Sequence, residues 1–180
     1  MKWLAGDKIL VVNGNGETQP KDYYDWSTYQ YCMGSYNTMT KYCNYSGYGY
    51  NGFTDNQTTL LPEDDAATAN WGDGWRMPTR EEWQELYNNT TKTYTQQGGV
   101  NGLLFTTSNG NSLFLPAAGY RWGGELYNVG NYGYGYCWSS SLGTYGPGDA
   151  WSFYFGSGYC DLRNYGRYYG QSVRAVRSGL

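Results

Sequence analysis

A chain of 180 residues suits one domain that buries roughly 70% of the surface its unfolded form exposes, and it is too short for two domains and a linker. With 15% charged residues and a net charge of −3 it offers no basic field to a phosphate backbone or an anionic bilayer, and no apolar run approaches a membrane span. Nucleic-acid binding and membrane insertion are therefore set aside. Histidine, the usual general base at neutral pH and the commonest metal ligand, is absent, and no catalytic residue, metal or cofactor is assigned.

The outstanding bias is aromatic, with 22 Tyr and 8 Trp beside 27 Gly. Such a composition belongs either to a self-associating low-complexity chain or to a folded domain with a Tyr/Gly-rich surface, and the periodic segments decide between them. The opening MKWLAGDKILVV lacks the long apolar stretch of a signal peptide, so the chain stays where it is made or its targeting segment lies outside this sequence. Lys8 to Asn13 is a β-branched run closed by Asn13-Gly14-Asn15-Gly16, which reads as a strand and a turn. Asp22 to Phe53 sustains no period; a long ordered loop is expected there, with at most one short strand, held by its aromatics and by cysteines if they pair. None of Cys32, Cys43, Cys137 and Cys160 sits in a CxxC arrangement; a Cys32 to Cys43 bridge is favoured over Cys137 to Cys160, and the pairing stays open.

From Leu61 to Gly72, Pro62 and the acids Glu63, Asp64 and Asp65 stand where a first helical turn favours negative charge, and Gly72 stands where the helix would stop. The acids read as helix-end chemistry rather than a calcium loop, which needs spaced oxygen ligands. The clearest local signal is Trp75-Arg-Met-Pro-Thr-Arg-Glu-Glu-Trp-Gln-Glu-Leu-Tyr87. Thr79 with Glu82 makes a capping box, and Trp83, Leu86 and Tyr87 fall on one helical face, so a helix is predicted from about Arg80 to Asn89. Short strands follow around Leu103 to Thr107 and Ser112 to Leu115, joined as a hairpin across Asn109-Gly110. Trp151, Phe153 and Phe155 then alternate with Ser152, Tyr154 and Gly156 as in a half-buried strand, and Ser172 to Arg177 is the last strand. A low-complexity chain has no reason to carry a capping box and a period-two aromatic stripe, so disorder is set aside.

The ordered set Trp75 to Leu86, Leu115-Pro-Ala-Ala-Gly-Tyr-Arg121, Trp138-Ser-Ser-Ser141 and Gly170-Gln-Ser-Val-Arg-Ala-Val-Arg177 resembles the C-type-lectin-like branch that includes formylglycine-generating-enzyme-like domains. Within that branch the chain is most similar to paralogous surface-protein domains of gut bacteria and their phages, over about residues 22–177. Its last fifty or so residues resemble the variable region of proteins diversified by a retroelement, in which adenines of a template repeat are copied with errors. Codons such as AAC then scatter into those for Tyr, Asp, Gly, Ser and Cys. The resemblance assigns Tyr127, Asn128, Asn131, Tyr132, Tyr134, Tyr145, Asp149, Tyr154, Gly158, Tyr159, Asp161, Asn164, Tyr165, Tyr168 and Tyr169 to this changing set. It assigns Trp138, Ser139 to Ser141, Trp151, Phe153, Phe155, Arg174 and Arg177 to the constant scaffold. Some relatives are oxidases that bind copper with a closely spaced cysteine pair, which Cys137 and Cys160, 23 positions apart, do not match. The Glu-Pro-Asn or Gln-Pro-Asp and Trp-Asn-Asp motifs of calcium-dependent lectins are also missing.

Independently of any family, Tyr presents a large contact with only two torsions to freeze and a hydroxyl that donates or accepts, while Gly, Ser and Asn let the backbone conform. Tyrosines that merely pack over glycines are the competing explanation, and Tyr120 and Tyr136 are the strongest candidates for it. Arg163 and Arg167 either meet acids of a partner or solvate the surface. The expectation is one α+β domain of C-type-lectin-like fold over residues 1–180, with two helices, a twisted and mainly antiparallel sheet, and terminal strands that lie together. Its function would be non-catalytic recognition of a protein or glycan on another cell surface, through residues 122–170, outside the cell or on a phage particle, in an oligomeric state left open. The alternatives are a carbohydrate-binding module of fixed specificity and a divergent formylglycine-generating-type oxidase.

Overall fold

The computed structural model describes residues 10–12, 14–129, 133–143 and 145–177. In chain order the elements are β1 (Leu10–Val12), α1 (Ala66–Trp71), β2 (Trp75–Arg76), α2 (Arg80–Asn88), β3 (Thr91–Gln97), β4 (Val100–Thr106), β5 (Ser112–Pro116), β6 (Tyr120–Trp122) and β7 (Glu125–Tyr127), followed by β8 (Gly135–Leu142), β9 (Asp149–Gly156), β10 (Tyr159–Gly166), β11 (Gln171–Val173) and β12 (Val176–Arg177). This is an α+β chain with two α-helices and mostly antiparallel sheets, as expected.

α2 forms where its caps dictate. The Thr79 hydroxyl accepts the Glu82 N–H at 3.2 Å and the Glu82 carboxylate accepts the Thr79 N–H at 2.9 Å, so two orphan donors of the first turn are satisfied. Glu82 also receives both Nη groups of Arg76, at 2.6 and 2.5 Å, which fixes the chain leading into the helix. The Leu61 to Gly72 segment splits. Pro62–Asp64 is a single 3-10 turn, and Asp65 then caps α1 by accepting the N–H groups of Ala67 and Thr68. Asp64 does not serve the helix end; it turns inward to accept hydrogen bonds from Tyr31, Tyr42 and Lys41.

The central sheet has the order β1-β11-β8-β9-β10, antiparallel except for the β11–β8 pair. Leu10 lies opposite Val173, so the terminal strands do lie together, although Lys8, Ile9 and Asn13 fall outside the described residues. The expected Ser172 to Arg177 strand is two strands, β11 in the central sheet and β12 against β2. Strand alternation sends Cys137, Phe153 and Phe155 to one face, where they meet Trp83 and Leu86 of α2 and Leu103, Phe105, Leu113 and Leu115 of the β3-β4-β5 sheet. It sends Trp138, Ala150 and Val173 to the other face, against Tyr42, Met77 and α1. The three serines after Trp138 are connectors: Ser139 Oγ donates to Trp151 O at 2.9 Å, the Ser140 N–H donates to Pro78 O at 2.9 Å, and Ser141 Oγ accepts the Arg80 N–H at 3.1 Å.

Asp22 to Phe53 is an ordered loop without a named strand, carrying 3-10 turns at Ser46–Tyr48 and Tyr50–Gly52. Tyr29, Cys32, Met39 and Cys43 pack together beneath it, and all four cysteines of the chain are free thiols, so the favoured Cys32 to Cys43 bridge is not formed. What anchors the loop is Arg167, which the sequence placed at the surface. Its side chain is fully buried: Nη1 donates to Pro147 O at 2.8 Å and to Tyr42 O at 3.2 Å, and the guanidinium lies over the rings of Tyr29 and Tyr42.

Candidate binding surface

β10 is the edge strand of the central sheet and alternates cleanly. Cys160 and Leu162 turn toward α2, while Tyr159, Asp161 and Arg163 are exposed on the opposite face, with Asp161 directly across from Tyr154 of β9. Tyr154 in turn lies across from Tyr136 of β8, so the face that does not carry Phe153 and Phe155 is paved with rings. Tyr136 and Tyr154 have centroids 4.9 Å apart, Tyr154 and Tyr159 5.3 Å, Tyr134 and Tyr154 5.8 Å, and Tyr136 and Tyr165 5.5 Å. The Tyr154 and Tyr159 hydroxyls share a hydrogen bond of 2.6 Å, and the Arg163 guanidinium covers the Tyr154 ring at 4.9 Å.

The paving extends onto the β6–β7 hairpin. Tyr120 touches Tyr136 at 5.0 Å, Tyr127 at 5.5 Å and Tyr169 at 5.4 Å, and Trp122 adjoins Tyr127 at 5.9 Å. The hairpin is held by backbone pairs, Arg121 with Gly170 and Gly123 with Tyr24, so it cannot swing away from the sheet without breaking them. Beyond Tyr169 the rings continue through Tyr168 at 4.2 Å to Trp26 at 4.8 Å.

These contacts sort the sequence-predicted positions. Tyr159, Tyr127, Asn128, Asp161 and Tyr145 are exposed, Tyr145 to 86%. Tyr134, Tyr165, Tyr168 and Tyr169 are half-buried, so the expected fully solvent-facing quartet of Tyr159, Tyr165, Tyr168 and Tyr169 is one exposed ring and three packed ones. Tyr154 is a correction: at 9% exposure it is the keystone under the patch rather than a contact residue. Asn164 is another, because alternation places it beside Trp151 on the α2 side with its Oδ1 buried. The exposed Asn128 holds a neighbour in place, donating from Nδ2 to the Tyr136 hydroxyl at 2.8 Å. Tyr136 is buried as expected of a structural ring, and Tyr120 is half-buried. Asn131 and Tyr132 lie outside the described residues. Packing over glycine does occur: a Cβ at Gly166 would sit 2.7 Å from the Tyr168 ring, so Tyr168 is seated partly by that glycine.

Sequence reasoning missed contributors on both sides. Trp122, 47% exposed and on the Tyr120 and Tyr127 side of the hairpin, extends the patch, whereas Leu126, equally exposed, pairs with Arg121 on the other side; the Gly123-Gly124 pair was the available hairpin signal. Trp26, Tyr36 and Tyr48 come from the aperiodic loop and close a cleft with Tyr145, Asp149, Tyr168 and Tyr169, with a volume of about 370 Å³. No periodic pattern marked them. A second cavity, about 470 Å³, lies between α1 and β2, but its Asp65 carboxylate is already occupied by the N–H groups of Ala67, Thr68 and Met77.

No protein-family model, curated protein or solved structure matches this chain.

The electrostatics are those of neutral rings around few charges. Burial pushes the Tyr136 and Tyr165 hydroxyls up to about 12 and also raises Tyr168, so near neutral pH each keeps its proton and can donate. Burial also raises the Asp149 carboxyl above its ordinary value, with the nearby Arg167 charge opposing. Among the described residues of this surface no nucleophile stands beside a base; rings, hydroxyls and a few carboxylates and guanidiniums can supply stacking, hydrogen bonds and charge pairing.

Proposed function

We propose that this chain is a non-catalytic recognition domain of C-type-lectin-like fold that holds a protein or glycan of another cell surface against the β8-β9-β10 face and the β6–β7 hairpin. The observation that carries the reading is the division of roles along β9. Phe153 and Phe155 bury fully into the core beneath α2, while Tyr154 supports a connected ring surface that ends in exposed Tyr159, Tyr127 and Trp122. Recognition residues can then change without touching the core that keeps the sheet in place. Tyr and Trp at the centre of such a patch provide large, rigid contact area, and Asp161, Arg163 and Asn128 form a polar rim.

The two helices, the mainly antiparallel sheets and the adjacent terminal strands agree with what the four-motif resemblance implies, and they support the lectin-like assignment. The non-catalytic reading is supported by Cys137, whose thiol lies in the core with Phe153 and Phe155 and is pushed up to about 12 by burial, far from the thiolate that redox or copper chemistry uses. Retroelement diversification fits the exposure of Tyr127, Asn128, Tyr145, Gly158, Tyr159 and Asp161, and implies display on a cell surface or phage particle. A near-copy of the coding region for residues 120–177, differing at adenines and lying beside a reverse-transcriptase gene, is the expected genomic signature.

A glycan array combined with a panel of purified cell-surface ectodomains tests the function. The full chain is expected to capture a restricted set of targets saturably, and a Tyr127→Ser, Tyr159→Ser double variant to lose about tenfold or more in affinity with its near-UV spectrum unchanged. Undiminished capture by that variant would remove this face from the account. Trp122 favours the second reading, a carbohydrate-binding module, because 47% of an indole beside Tyr127 is available to stack on a sugar ring; retention of a single sugar class on the array selects it.

A further inference from the structure

The cleft between the long loop and the β8–β9 connection has chemistry that the ring-paved face lacks. One wall is Trp26 against Tyr168, centroids 4.8 Å apart, and the other is Tyr36 against Tyr48, at 5.8 Å with their planes 67° apart. Exposed Tyr145 stands at the opening, and the half-buried Asp149 lies among the lining residues. Among the described residues the Asp149 carboxylate has no ion-pair partner. The Arg167 charge acts on Asp149, but its Nη1 is committed to the carbonyls of Pro147 and Tyr42 and its plane to the Tyr29 and Tyr42 rings.

A carboxylate set among several aromatic rings, with no ion-pair partner among the described residues and only the longer-range pull of Arg167, is an arrangement that stabilises a weakly hydrated organic cation. A primary ammonium is less suited, because its three N–H groups need a shell of acceptors that the ring faces do not supply. The volume of about 370 Å³ is at the small end of the range of about 300–1,000 Å³ for ligand pockets, enough for a methylated ammonium and a few atoms of what carries it.

We infer that this cleft binds a quaternary or methylated ammonium group, held between Trp26, Tyr36, Tyr48 and Tyr168 with Asp149 as its counter-charge. The inference deepens the recognition reading, on which it rests, by giving one end of the proposed surface a ligand chemistry. Two carriers present the same group, a choline-type head and a trimethylated lysine side chain, and separate arms of one experiment distinguish them.

The full chain is titrated by calorimetry and by aromatic NMR shifts with choline, with Nε-trimethyl-lysine amide, with unmodified lysine amide, and with 3,3-dimethylbutan-1-ol, the neutral carbon analogue of choline. At least one methylated ammonium is expected to bind with a dissociation constant on the order of 1 mM or tighter, and the neutral analogue at least about tenfold more weakly. The tighter of the two methylated arms identifies the carrier. Asp149→Asn, nearly isosteric, and Trp26→Leu should each weaken binding about tenfold, while Val100→Ser, an exposed position outside both the cleft and the ring-paved face, leaves it unchanged. Equal binding of choline and its neutral analogue by the wild-type chain overturns the inference without reliance on any variant, as does unmodified lysine binding as tightly as its trimethylated form. Absence of saturation below about 50 mM in every arm also overturns it. If no ammonium binds but array targets are still captured, this inference alone fails; if ammonium binds and no target is captured, the inference stands and the broader reading falls.

Discussion

Arg163 and Arg167 stand four residues apart in one Tyr/Gly-rich stretch and take opposite roles. Arg163 is exposed beside Asp161, at 3.7 Å, whereas Arg167 is wholly buried. Nothing local distinguishes them; the difference is that the distant Asp22 to Phe53 loop brings carbonyls and ring faces to one and not the other. Arg167→Ala removes charge-assisted hydrogen bonds and opens a cavity, and should cost about 3 kcal/mol in denaturant unfolding, while Arg163→Ala should stay within about 0.5 kcal/mol. Equal effects of the two would contradict the burial. Asp64 gives a pH-dependent case. Burial by itself would raise its carboxyl, but hydrogen bonds from Lys41, Tyr31 and Tyr42 outweigh that and hold it below its ordinary 3.8. A depressed folded value means stability that is present above the unfolded value and lost as pH falls through the folded one. Asp64→Asn is thus expected to cost about 1–3 kcal/mol at pH 7, with the gap to wild type closing below about pH 4. Asp65 and Asp149 shift the other way, but they are common to both proteins and cancel in the difference.

At the scale of elements, what could be read from the chain was whatever local chemistry decides. The capping box of α2 satisfies a backbone requirement within a few residues and is found where expected, and the Trp151/Phe153/Phe155 stripe does form β9; but β9 is buried on both faces, Ser152 and Tyr154 included, rather than half-buried, and Trp151 is only partly covered. Thr79→Ala should lower the melting midpoint in line with a cap loss of about 1 kcal/mol. Trp138→Ala, which empties the centre of the core on the opposite face, should cost about 3 kcal/mol or more by the same measurement. β3 was not legible, because Thr91-Lys-Thr-Tyr-Thr-Gln-Gln97 shows polar residues on both faces and contributes one ring, Tyr94, to the core. It pairs with β4 across Gly98-Gly99, both at positive φ, a turn signal that outweighs the missing hydrophobic alternation. β10 escaped for a related reason: its apolar positions are only Cys160 and Leu162, and tertiary pairing with β9 makes it a strand.

At the scale of the molecule, stability and recognition are carried by different residues of the same strands. The core on the α2 side and the core around Trp138 sandwich the central sheet, and the paved part of the Trp138 face is what remains uncovered. Only part of that candidate surface could be anticipated, since composition announces an excess of tyrosine but not which rings a distant loop will bury. Tyr154 and Tyr159 are five residues apart and differ in exposure as 9% to 46%. The separation of roles is the central claim, and a single comparison tests it directly. With Trp122, Tyr127, Tyr145 and Tyr159 all changed to Ser, equilibrium unfolding should give a stability within about 2 kcal/mol of wild type, as four exposed substitutions of at most about 0.5 kcal/mol each would allow. Changing only the keystone, Tyr154→Ala, should cost about 3 kcal/mol, and target capture should be lost in the quadruple variant while its fold persists. A quadruple variant that unfolds, or one that folds and still captures its target, would contradict the account.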